Sequence, residues 1–261
     1  LSAYVIAVAN QKGGVGKTTT ALSLGGSFAR MGRKILVMDL DPHACASIHM
    51  AFFPEKTQRT ALDIFKSYPN FPDQQNSPIY PTHSEPRFDF TPSSIQLSEL
   101  DADLKDVPGK GLILKKWLAQ TRRGYEVIII DCPPQMGVIL VNALVAADEV
   151  IIPTQTDFLA LHGFKLIFDT MRLLNKALKS PIKYRVLPTM FDRRAGACRR
   201  ILNILRKKMG PRLFETVINT DTKFRESSAR GRVIHDYAPK SRGAQEYTRL
   251  AREIDRGIKK L

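Results

Sequence analysis

Three observations predict a doubly wound α/β fold, with a mainly parallel sheet covered by helices on both faces. First, four short runs are apolar at both alternating positions: VIAVA (5–9), ILVM (35–38), VIII (127–130) and VII (150–152). Strands without polar alternation are buried on both sides, as in a parallel sheet between helical layers. Second, segments with a helical period lie between and after those runs. Third, a glycine-rich stretch joins the first run directly to the first helical segment, which is the strand–turn–helix unit of such folds.

Taken in order, the first helix has Leu24 and Phe28 on one face, and Gly32 is placed to end it. Residues 66–87 then carry Pro69, Pro72, Pro78, Pro81 and Pro86 with little periodicity. Proline removes a donor and fixes φ, so this stretch is expected to be a long surface excursion. Strand-like FDFTPSS (88–94) follows it, which keeps the excursion inside one domain. Residues 163–178 repeat the helical period through Leu166, Met171, Leu174 and Leu178, and the terminal GAQEYTRLAREIDRGIKK reads as a charged helix with an apolar stripe at Tyr247, Leu250 and Ile254. A length of 261 residues suits one sizeable core, and a single domain over 1–261 is expected.

The composition, 43% hydrophobic and 25% charged, is that of an ordinary soluble domain, and no window approaches the roughly 18 apolar residues of a membrane span. The start carries no charged-then-apolar signal segment, so a cytoplasmic protein is expected. Cys45, Cys132 and Cys198 are far apart and show no C-x-x-C spacing, which argues for reduced thiols rather than disulfides or a cysteine metal site. The net charge of +15 is unevenly spread: residues 183–261 hold 21 Lys or Arg against 8 Asp or Glu, and the rest holds 19 against 17. A one-sided excess of this size points to a polyanionic partner, nucleic acid or an anionic membrane surface.

NQKGGVGKTTT (10–20) carries the chemistry. Gly13, Gly14 and Gly16 let successive backbone N–H groups turn onto an anion, and the following helix adds the partial positive charge of its N-terminus. In a phosphate loop of this kind Lys17 reaches the β and γ phosphates and the Thr18 hydroxyl serves Mg²⁺. The nucleotide-binding stretch is taken as Lys12, Gly13, Gly14, Val15, Gly16, Lys17, Thr18 and Thr19. DLDP sets Asp39 and Asp41 at the end of the second strand, where one carboxylate suits the metal shell and the other a water-positioning role, assigned to Asp39 and Asp41 respectively. DCPP sets Asp131 at the end of a third strand as a further Mg²⁺ carboxylate. All three lie at C-terminal strand ends, where open α/β sheets bind ligands. TQTDFLALHG follows the next strand and could carry the nucleotide state away from the site.

An ordinary loop of this type needs only Lys17 and has glycine where this chain has Gln11. With Lys12 added, QKGGVGKT matches the x-K-G-G-x-G-K-[ST] loop of the ParA/Soj/MinD family of deviant Walker A ATPases, which the sequence resembles over nearly its whole length through DLDP, DCPP, IIPTQTDFLALHG, TMFDRR and SRGAQEYTRLAREI in the family's order. Within the family, DLDPH, PTMFDRR, DTKFRESSARG and PKSRG are most similar to the ParC-like branch, which positions chemotaxis arrays. The resemblance implies a P-loop NTPase fold and a slow, partner-stimulated ATPase that uses ATP and Mg²⁺. Lys12, Lys17 and Asp41 are then the catalytic residues. It also implies an ATP-dependent homodimer in which Lys12 of each subunit reaches the other's phosphates, a cation supplied in trans of the sort worth roughly 10³ to 10⁵ in rate elsewhere. Nucleoid association follows through non-specific DNA contacts, for which the candidates are Arg206, Lys207, Lys208, Lys223, Arg225, Arg230 and Arg232. A ParB-like or other stimulating partner is expected, and a cargo that is a chromosome, a plasmid or a chemotaxis array. Two alternatives stay open: a MinD-like membrane-associated regulator, which needs an inserting C-terminal helix, and an iron–sulfur carrier ATPase, which needs paired cysteines.

Overall fold

Seven strands form one sheet: β1 (Tyr4–Val8), β2 (Ile35–Asp39), β3 (Tyr80–Pro81), β4 (Asp89–Thr91), β5 (Val127–Asp131), β6 (Glu149–Gln155) and β7 (Tyr184–Thr189). Their order is β3-β4-β2-β5-β1-β6-β7, and every pairing is parallel except that of β3 with β4. The computed structural model describes residues 3–71, 73, 76–158 and 160–259, the side chains of 160–163 excepted. Pro72, Leu159 and Leu261 lie outside the described residues.

Alternate residues of the central strands feed two separate cores, as runs apolar on both faces require. Val5, Ala7, Leu36, Met38, Ile128, Ile130, Val150 and Ile152 enter one core. Ile6, Val8, Ile35, Val37, Val127, Ile129 and Ile151 enter the other. The described helices are α1 (Lys17–Arg30), α2 (Cys45–His49), α3 (Ala61–Lys66), α4 (Leu100–Asp103), α5 (Ile113–Thr121), α6 (Val138–Ala146), α7 (Ala160–Asn175), α8 (Gly196–Met209), α9 (Lys223–Ala229), α10 (Ile234–Tyr237) and α11 (Arg242–Ile258). Buried residues of α3, α5, α6, α7 and α8 line the first core, and those of α1 and α11 the second.

Leu24 and Phe28 of α1 are fully buried, and Gly32, at φ +81°, follows the helix end. α1 lies so close to β2 that a Cβ on Gly25 would come within 2.6 Å of the Val37 side chain. On α11 the stripe of Tyr247, Leu250 and Ile254 is buried against α1. α7 begins and ends three residues earlier than its apolar period suggests. The Asn175 side chain accepts from the Ile182 N–H (2.8 Å), turning the chain so that Leu178 falls beyond the helix.

Two strands, β3 and β7, have no signature in the sequence. β3 lies inside the proline-rich stretch, where Tyr68, Phe71 and Ile79 also pack against the first core. A two-residue strand has no period to read. β7 was hidden by Arg185 and Pro188. It tolerates them because it ends the sheet order: Arg185 pairs with the buried Glu149, and proline is accommodated on edge strands.

Candidate nucleotide site

The loop after β1 is anchored on three sides by side chains. Asn10 accepts from the Lys12 N–H (2.9 Å) and donates to the Pro153 carbonyl at β6 (2.8 Å). Gln11 donates to the Thr170 hydroxyl on α7 (3.1 Å), and Thr189 of β7 donates to the Val15 carbonyl (2.9 Å). Gly14 and Gly16 take left-handed φ of +72° and +91°. A Cβ on Gly13, Gly14 or Gly16 would meet nothing within 4 Å, so the loop borders open space. Gly16 caps α1 without a side-chain hydrogen bond, and no acidic residue lies in the first turn. The N–H groups there are therefore available to an anion. Lys17 is 8% exposed and its ammonium donates to the Lys12 carbonyl (3.3 Å); Thr18 and Thr19 are half-buried in the same turn.

Asp39 and Asp131 end adjacent strands and face each other in register. Both are buried, yet their bonding is unlike. Asp39 accepts from the Ser47 N–H (2.8 Å), the Ser47 hydroxyl (2.7 Å) and the Asp41 N–H (3.1 Å). Burial pushes its carboxyl up to about 6 against the pull of those donors. By distance and angle neither oxygen of Asp131 has a hydrogen-bond partner, although the Thr18 hydroxyl is near enough to draw its pKa down. Burial, and then the charge of Asp39, raise it well above the usual carboxylate range, while Thr18 and Lys17 oppose the rise. An orphaned buried carboxylate beside a threonine hydroxyl fits a divalent cation, and Mg²⁺ is typically held by one or two carboxylates together with substrate phosphates. Asp41 is 8% exposed; Ser93 fixes its backbone by donating to its carbonyl (2.6 Å).

A family model described as an AAA domain matches residues 3–184. The sporulation initiation inhibitor protein Soj of Bacillus subtilis is 34% identical over 251 residues, 96% of this chain and 97% of its own. The chromosome partitioning protein ParA of Caulobacter vibrioides is 31% identical over 256 residues, covering 96% and 93%. This chain belongs to the Soj/ParA family. Among solved structures, a cobyrinic acid a,c-diamide synthase of Mycobacterium smegmatis with bound ADP and magnesium superposes with a TM-score of 0.81 at 29% identity, covering 98% of this chain and 96% of that one.

In this Soj/ParA chain the second lysine does not join Lys17 over the loop. The Lys12 ammonium lies 3.0 Å and 3.2 Å from the two carboxylate oxygens of Asp157, just after β6, with about a quarter of its side chain exposed (27%). The sequence singled out Lys12 but not the residue that holds it, since an aspartate distant in sequence gives no local signal. Ser47, Ser93 and Thr170 went unread for the same reason.

The candidate DNA contacts divide between the two layers. Arg206, Lys207 and Lys208 are exposed on the last turn of α8, whose Ile201 and Leu205 enter the first core. Lys223 and Arg225 begin α9, whose Phe224 packs against the second core, and Arg230 and Arg232 follow as exposed residues. Lys223 is paired with Glu226 (2.6 Å) and Arg232 lies 3.7 Å from Asp236. Arg193, Arg194, Arg199 and Arg200 are exposed at the turn into α8 and add to the positive charge there.

Proposed function

We propose that this chain is an ATP-dependent dimerising ATPase that binds DNA non-specifically in its ATP state and segregates or positions a cellular cargo: a chromosome, a plasmid or a chemotaxis array. The observation that carries the proposal is the separation of the two lysines. Lys17 is buried over the loop, while Lys12 is held at a partly exposed position by one breakable ion pair. A lysine needed only for its own subunit's phosphates gains nothing from that position; one destined for a second subunit's phosphates does.

In the mechanism, the loop N–H groups and Lys17 bind and orient the triphosphate. Asp131 and Thr18 would hold Mg²⁺, with Asp39 braced behind them, and the ion would neutralise charge on the phosphates. Asp41 orients the attacking water. Lys12 leaves Asp157 for the partner's phosphates, so binding of ATP and pairing of subunits become one event. Pairing doubles the phosphate contacts offered to DNA and converts weak contact into retention. A ParB-like or other partner stimulates hydrolysis and ends that retention.

The membrane alternative, which would insert Ile254, Ile258 and Leu261, is disfavoured because Ile254 is fully buried and Ile258 packs against the second core; Leu261 lies outside the described residues. No described helix is long and apolar enough to cross a membrane. The iron–sulfur alternative is disfavoured because Cys132 is fully buried, with its thiol pushed up by burial and by Asp131.

The test is size-exclusion chromatography with light scattering. The wild type should dimerise with ATP and not with ADP, and Lys12→Ala should bind ATP yet remain monomeric. A normal ATP-dependent dimer of Lys12→Ala defeats the proposal.

A further inference from the structure

His43 is the residue of the DLDPH turn that the proposed mechanism leaves without a role. Asp41 starts a tight turn in which its carbonyl accepts from the Ala44 N–H (2.8 Å), and Ala44 is held at a left-handed φ of +53°. This geometry is costly for a residue with a Cβ and is found preferentially at functional sites. The turn brings two donors of His43 onto one oxygen of Asp41: the backbone N–H at 3.0 Å and the ring Nδ1 at 3.0 Å. Among the described residues no hydrogen bond reaches the other carboxylate oxygen, Oδ2.

We propose that His43 is a positioning residue for ATP hydrolysis: it clamps Asp41 through Oδ1 and leaves Oδ2 as the sole acceptor for the attacking water. The proposal rests on the water-orienting role proposed for Asp41. The clamp requires Nδ1 to carry the proton. A carboxylate with one oxygen fixed by two donors has little freedom to rotate, and the water it binds then has a defined direction of attack. The backbone N–H alone would fix the position of Oδ1 but not the plane of the carboxylate. The ring is 64% exposed, so replacing it disturbs little of the core.

Two measurements test this. Histidine side-chain ¹⁵N spectra of the nucleotide-free protein should report the Nδ1–H tautomer for His43 in the wild type and lose it in Asp41→Ala; a Nε2–H tautomer in the wild type overturns the proposal. In steady-state hydrolysis with DNA present, His43→Ala should lower kcat by about tenfold, the scale of one hydrogen bond to a charged group, with KM for ATP and the ATP-dependent dimer unchanged. His43→Gln, which retains a side-chain donor, should recover most of the loss. An unchanged kcat in His43→Ala, a change confined to KM, or an equal loss in the Gln variant overturns the proposal. If the wild type itself fails to hydrolyse ATP, the ATPase reading falls and takes this clamp with it. If the wild type hydrolyses ATP and Asp41→Ala does not, while His43→Ala matches the wild type, only the clamp falls.

Discussion

Asp131→Asn should make the nucleotide-free protein more stable while removing its response to Mg²⁺. Asp131 is 1% exposed, neither oxygen is hydrogen-bonded, and its in-register neighbour is another carboxylate, Asp39. An unpaired buried ion costs several kcal/mol even after relaxation, whereas an unsatisfied buried amide costs about 1–3 kcal/mol. The exchange should therefore gain about 1–3 kcal/mol at pH values where the carboxyl is ionised. For a chain of this size, at about 2–4 °C per kcal/mol, that raises Tm by about 2–12 °C. The gain should depend on pH. A carboxyl whose folded pKa is raised contributes stability below its unfolded value and loses it as pH climbs through the folded one. Asp131 is raised in this way, so variant and wild type should converge towards pH 4 and separate above it. Thermal unfolding followed by circular dichroism in EDTA, from pH 4 to 8, measures the difference. Adding ATP and Mg²⁺ should then raise Tm in the wild type far more than in the variant. A variant less stable than the wild type without metal, at pH values where the carboxyl is ionised, would show that Asp131 is satisfied by the protein itself, and the case for a cation there would be lost.

Asp39→Asn should bring no such gain. Its oxygens already serve Ser47 and Asp41, so the amide strands a buried donor at a cost of about 1–3 kcal/mol; this offsets the gain from removing the charge, and urea unfolding at about pH 7 should show no net stabilisation. The wild type's nucleotide-free stability should fall between pH 4 and 7 by a few kcal/mol as the facing carboxyls ionise, because that of Asp39 is raised from 3.8 to about 6 and that of Asp131 is raised beside it, at about 1.4 kcal/mol per pH unit; a flat profile would contradict the burial of that charge. Asp157→Asn should loosen the hold on Lys12. A partly exposed pair contributes about 0.2–1 kcal/mol, so the ATP concentration for half-dimerisation should drop by no more than about fivefold, and a rise would mean that Asp157 serves the dimer rather than the monomer. Ala44→Gly should relieve the left-handed strain and stabilise by about 0.5–1 kcal/mol in chemical unfolding, unless the turn itself relaxes in solution.

The parts of this fold legible in the sequence are those whose physics is local. The glycine loop declares itself because backbone N–H groups converging on an anion need adjacent residues of low steric cost. The central strands do so because burial on both faces leaves no polar alternation. Asp39 and Asp131 could be placed at strand ends from the runs preceding them. Their facing each other depends on β5 lying beside β2, which no local pattern encodes. β7 escaped notice because Arg185 and Pro188 interrupt its apolar run, and both are tolerable only once Glu149 and the end of the sheet are known to be there.

The same distinction explains why two aspartates of similar sequence context have different physical standing. Ser47 is eight residues beyond Asp39, on the short helix α2, and its N–H and hydroxyl satisfy that carboxylate completely enough to brace the turn carrying Asp41. Asp131 is followed by Cys132, whose thiol donates to the Ile130 carbonyl (3.7 Å) rather than to Asp131. The protein thus pairs a carboxylate satisfied by its own donors with one left unsatisfied, at adjacent strand ends. Only the second has unspent bonding capacity, and an ion arriving with a triphosphate can use it. A stability measured without nucleotide is accordingly lower than the fold could reach, and part of the deficit is restored when the substrate binds.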